Sequence, residues 1–147
     1  MHLERYAVVP ASWRDNALGR QWQSLRDLRR VVTGALELER AQKRLGSGLQ
    51  GAALLYVPES YREAIDGVDL AELCITSAGS VAFAPPPESA FVLPEVPGVG
   101  VVIELAAGDK CQRCWRVLPE VGTVAAHSDL CRRCADAVDH LGHARAG

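Results

Sequence analysis

Aromatic residues are scarce in this chain, at 5% of its 147 positions, and methionine occurs once. A core built without them must be aliphatic and alanine-rich, and therefore thin. No run approaches the roughly 20 apolar residues that a bilayer-spanning helix needs. The N-terminal MHLERYAVVP carries charges where a secretory leader has its apolar stretch. A soluble, cytoplasmic protein with no membrane partner is the expectation. Glycine loops that cradle phosphates are missing as well, since GSGLQG at 46–51 has the wrong spacing and no lysine. Serine, histidine and acidic residues occur in no triad-like spacing. No catalytic residue and no nucleotide-binding loop is assigned.

What is present is globular in composition, 48% hydrophobic and 23% charged. The length suits one ordinary domain or two or three small modules. The net charge of −2 conceals an asymmetry: residues 13–46 carry +4, residues 47–107 carry −7 and residues 108–147 carry +1. A polyanionic partner should meet the two ends and avoid the middle.

The charge divisions coincide with three pieces of an α+β fold. In 1–46, Trp22, Leu25, Leu28, Val32, Ala35, Leu36 and Leu45 recur at helical spacing and predict a helix over 13–45. Ser12 or Asp15 would cap its start and Gly46 would stop it. Gly34 interrupts its interior at a cost of about 1 kcal/mol. The opposite face carries Arg26, Arg29, Arg30, Arg40 and Lys43. In 47–107 the sequence predicts a buried strand at 49–57, one or two short helices broken at Gly67, and a strand at 74–83 bulged at Gly79. Alternation from Val99 to Ala106 predicts a third, half-buried strand that leads to Cys111. The eight acids of this middle piece read as solvated surface.

The piece 108–147 holds Cys111, Cys114, Cys131 and Cys134 as C-x2-C-x16-C-x2-C. That spacing lies within the range of a four-cysteine zinc site. A two-residue gap makes a tight turn that points both sulfurs to one side, and two such turns complete a tetrahedron. Redox C-x-x-C motifs occur singly at a helix start after a strand, and disulfides do not suit a chain without an export signal. A tail of this size has too little core to fold without a staple. One structural Zn²⁺ in a zinc ribbon is therefore expected, with Lys110, Arg113, Arg116, Arg132 and Arg133 offsetting surplus thiolate charge. Cys74 is expected as a buried core residue in the second strand, and His127 as a solvated loop residue in preference to a substitute ligand.

Three stretches together resemble the C-terminal end of bacterial isoleucyl-tRNA synthetases. WQSLRDLRRVVTGALELERAQKRLGSGLQGAALLYV (22–57) resembles the last long helix of the anticodon-binding region and the strand after it. HLERYAVVPASWRD (2–15) resembles the connection leading into that helix, and KCQRCWRVLPEVGTVAAHSDLCRRCADAV (110–138) the terminal zinc-binding segment. The middle, 58–107, matches only in its pattern of short elements.

The resemblance implies an ATP-dependent isoleucine–tRNA ligase as parent, in which this piece helps hold isoleucine tRNA near the anticodon. The parent's HIGH and KMSKS signatures are absent, so the chain is expected to be a detached portion, inactive alone and without bound ATP. Cys111, Cys114, Cys131 and Cys134 would ligate zinc. Candidate tRNA contacts are Arg113, Trp115, Arg116, Arg132 and Arg133, with Arg26, Arg29 and Arg30 on the helix. Trp115 would stack on a nucleotide or roof the zinc hairpin, and packing is the slightly favoured role. Trp13 and Trp22 would pack on the remainder of the synthetase, met through the N-terminal helix. A similar four-cysteine finger in formamidopyrimidine-DNA glycosylases leaves a stand-alone zinc ribbon on DNA or RNA as an alternative, and a structural interaction domain as another.

Overall fold

The computed structural model of the protein describes residues 7–144, so residues 2–6 of the connection lie outside the described residues. Asp15 opens the longest helix: its carboxylate accepts the N–H groups of Ala17 and Leu18, both at 2.9 Å. Helix α1 then runs Asn16–Ala41 and buries Leu25, Leu28, Val31, Val32, Ala35 and Leu36 along one stripe. Ser12 caps nothing and lies in a 3-10 turn, Ala11–Trp13.

The stop is not Gly46. Lys43 takes the left-handed conformation, with φ 59°. Its N–H donates to the Arg40 carbonyl and that of Arg44 to the Glu39 carbonyl, both at 3.0 Å. That pair of bonds closes the helix end around a left-handed residue, a place usually taken by glycine. Arg44 then reaches back to pair with the Glu39 side chain.

Strand β1 (Gly51–Tyr56) follows a 3-10 turn, Gly48–Gln50, which takes the start of the predicted strand. Two short helices, α2 (Arg62–Ile65) and α3 (Leu70–Cys74), carry the chain over to β2 (Ala78–Ala82). Strands β3 (Phe91–Val92) and β4 (Gly100–Leu105) complete a four-stranded sheet in the order β2-β1-β4-β3. Strand β1 pairs parallel to β2 and antiparallel to β4.

Two expectations are corrected here. Cys74 is buried as expected, but it ends helix α3 and does not stand in a strand. Gly79 forms no bulge, because the β1–β2 register runs unbroken from Ala52↔Ala78 to Tyr56↔Ala82. Gly79 instead allows contact: a Cβ there would lie 2.8 Å from the Ala71 nitrogen. The same logic explains Gly34, where an added Cβ would stand 2.7 Å from the Phe91 ring.

Helix α1 packs across the sheet, so residues of the 1–46 and 47–107 pieces share one core: Leu28 and Val32 with Leu55, Val57 and Val101. A second, smaller cluster gathers Leu130 and Ala135 around the cysteines and has no residue in common with the first. Trp13 and Trp22 stay outside both, 74% and 46% exposed. Among the described residues no helix is long and apolar enough to cross a membrane.

Candidate metal centre

Gly108 turns the chain out of β4 with φ +107°, and a Cβ there would lie 2.2 Å from the Leu118 carbonyl carbon. Only glycine lets the two segments cross. Strands β5 (Asp109–Lys110) and β6 (Val117–Leu118) pair antiparallel just beyond it. Between them the chain makes a tight turn in which the Trp115 N–H donates to the Cys111 carbonyl and the Cys111 N–H to the Arg116 carbonyl, both at 2.9 Å.

The second cysteine pair sits at the start of helix α4 (Arg132–Ala144). The Cys131 carbonyl accepts the N–H groups of Cys134 and Ala135, and Glu120 accepts that of Arg132 at 3.2 Å. Sequence reading did not anticipate this helix. Its first turn swings Cys134 back beside Cys131, and its N-terminal dipole favours anionic sulfur.

All four sulfurs lie within 4.8 Å of one another. A zinc tetrahedron with Zn–S of about 2.3 Å needs sulfurs about 3.8 Å apart. The Cys114 and Cys131 sulfurs are 3.8 Å apart. All five cysteines are free thiols. Burial opposes charge on Cys111, but the N–H groups of Cys114, Cys131 and Arg113 outweigh it and lower its pKa to about 6. Burial, helped by the neighbouring sulfurs, pushes Cys131 up.

The donor set fits zinc, and the protein carries one structural zinc site. Four thiolates fill the coordination sphere and leave no position for a reacting water. The metal would hold the fold of this segment. His127 takes no part: its Nε2 lies 2.8 Å from Asp139 on α4.

The basic residues around the cysteines divide by role. The Arg113 guanidinium donates to the Cys134 sulfur at 3.7 Å, and the nearby Cys114 sulfur raises the pKa of Arg133. Arg133 also pairs with Glu72 of α3 at 3.2 Å. Arg132 is exposed. Arg116 turns inward, donating to the Ser77 carbonyl at 2.8 Å.

Trp115 does not roof the hairpin. It is 60% exposed, holds a left-handed backbone with φ 66°, and has the Lys110 ammonium 5.6 Å from its ring centroid. A bulky residue in that conformation is strained. On α1, Arg26 donates to Gln23 and Arg30 pairs with Asp27, both on the open side. Arg29 is exposed as well. Burial pushes the Cys74 thiol up to about 11, against the pull of the Arg29 charge.

Ser77 was not singled out in the sequence. It is 2% exposed and its hydroxyl accepts the Val117 N–H at 2.6 Å. No local signal marks a serine whose partner is 40 residues away.

A family model described as "Zinc finger found in FPG and IleRS" matches residues 108–137. Across nearly the whole chain the similarity is to proteins named isoleucine–tRNA ligase. The one from Brucella abortus biovar 1 (strain 9-941) is 46% identical over 142 residues, covering 96% of this chain and 15% of that protein. Its counterpart in Bartonella henselae is 44% identical with the same coverage. That of Ruegeria pomeroyi is 45% identical over 135 residues, covering 91% of this chain and 14% of its own length. The similarity thus runs through the middle piece too, and the chain spans about 15% of the length of these curated relatives.

Proposed function

We propose that this chain, similar over 96% of its length to the C-terminal region of bacterial isoleucyl-tRNA synthetases, grips isoleucine tRNA for a parent ligase. The observation that carries the reading is Trp115. An exposed indole in a left-handed conformation costs folding energy that packing does not return. It stands at the tip of a zinc-stapled turn with a lysine at its side, which suits an unstacked base and its phosphate.

The candidate contacts on the zinc segment are then Trp115, Lys110, Arg113 and Arg132, with Arg133 dividing its charge between Glu72 and the sulfurs. Arg116 drops out, because its guanidinium turns inward, with one N–H on the Ser77 carbonyl and its buried Nε unpartnered. On α1, Arg26, Arg29 and Arg30 are all exposed and remain candidates. The exposed Trp13 and Trp22 are where the remainder of the ligase would pack. The chain works in the cytoplasm, and the parent's reaction, joining isoleucine to tRNA with ATP, is carried out elsewhere in the parent.

Competition decides between this reading and a finger on DNA, which the family model's second member class keeps in view. Labelled isoleucine tRNA should bind the zinc-loaded chain with a steep salt dependence. Unlabelled duplex DNA should displace it only at large excess. Equal displacement by tRNA and DNA would favour the stand-alone finger, and no salt-dependent binding to either would leave an interaction domain.

A further inference from the structure

We infer that Ser77 is a positioning residue: with Arg116 it forms the joint that sets the zinc segment at a fixed angle to the sheet, and so fixes where Trp115 is presented. Four hydrogen bonds meet at this residue. Its N–H donates to the Gly51 carbonyl at 2.9 Å and its hydroxyl to the Leu49 carbonyl at 2.5 Å, tying it to the start of β1. Its hydroxyl accepts the Val117 N–H at 2.6 Å and its carbonyl accepts Arg116 at 2.8 Å, tying it to β6 and to the residue before it.

The two clusters of buried apolar residues have no member in common. Apolar contact is indifferent to direction, whereas hydrogen bonds weaken steeply with misalignment. The angle between the two parts therefore rests on polar contacts. Arg133 to Glu72 is a second one, but it is exposed and hence weak. Ser77 and Arg116 are the sheltered pair. Arg116 follows Trp115 directly in the chain, so the bond to Ser77 acts one residue from the indole.

Two of the four bonds stay within the sheet part, to Leu49 and Gly51, and the other two cross to Arg116 and Val117 of the zinc segment. Ser77 touches no RNA in this account. Its effect on binding rests on the function proposed above, while its effect on the joint does not.

The test uses the full zinc-loaded chain carrying Ser77→Ala. Zinc content should stay at one per chain, and the Cys131 and Cys134 amides should keep their hydrogen-exchange protection. The Val117 amide should exchange at least tenfold faster. Affinity for isoleucine tRNA should fall about five- to tenfold with an unchanged slope against salt, because the phosphate contacts survive but are no longer aligned. Arg116→Met should reproduce this, and Arg116→Lys, which keeps one donor for the Ser77 carbonyl, should restore most of the affinity.

Unchanged exchange at Val117 overturns the inference. So does equal acceleration at Val117 and Cys131, which would make Ser77 a support of the zinc fold itself. A shallower salt slope in Arg116→Met also overturns it, by placing Arg116 on a phosphate. Should Ser77→Ala lose its zinc, the Arg116→Met exchange pattern decides alone. Should wild type bind no tRNA, the proposed function fails and the exchange results still judge the joint.

Discussion

Trp115 separates stability from binding at one position. Glycine accepts a left-handed backbone without strain, so Trp115→Gly should stabilise the zinc segment by about 1 kcal/mol. The same change removes a stacking surface worth about 1–3 kcal/mol per base. Isoleucine tRNA affinity should therefore fall between about fivefold and about 150-fold while chelator resistance rises. Trp115→Ala, which keeps the strain, should lose the affinity without gaining the stability. Unaltered affinity in both variants would remove the indole from the interface. The expected packing role for this tryptophan failed because the usual burial of the residue type says nothing about a tight turn closed by two cysteines. The four ligands were legible for the opposite reason: their spacing is local and chemically specific, so it survives any uncertainty about the surrounding fold.

Elements were legible where periodicity is long. Helix α1 shows several turns of its stripe; the strand before the zinc segment is present, but its burial falls off from Gly100 to an exposed Leu105 where alternation was expected. The stop of α1 was misplaced because Lys43 occupies a conformation that sequence rules assign to glycine, held there by hydrogen bonds to Arg40 and Glu39. Strand β3 has two residues and no room for a pattern, whereas helix α4 has 13 residues and was passed over because the cysteine spacing at its start drew the reading. Gly67 breaks the helices as expected, whereas Gly34 and Gly79 admit a neighbour from elsewhere in the chain. Gly79→Ala tests this. Its methyl group would press on α3 at Ala71 and Leu70, and overpacking of that kind costs about 1–3 kcal/mol. Urea denaturation of the variant should show that loss with the zinc content intact. A midpoint equal to that of wild type would mean that α3 yields freely.

At the scale of the whole molecule, separate cores predict separable melting. Stripping zinc should unfold the segment beyond Gly108, because its cluster is built around the ligands. Circular dichroism should lose the share of α4, 13 residues, and keep that of α1, 26 residues, which is buried against the sheet. Simultaneous loss of both would show that the first core depends on the metal. The sheet also has a consequence in time. Strand β4 lies between β1 and β3 and contacts α1, yet it is the last strand of that sheet in the chain. During synthesis the ribosome releases the helix, both crossover helices and three strands before the strand that joins them exists. A nascent chain ending before Gly100 can cover the apolar stripe of α1 only in part, with β1 and the short helices, and waits for β4.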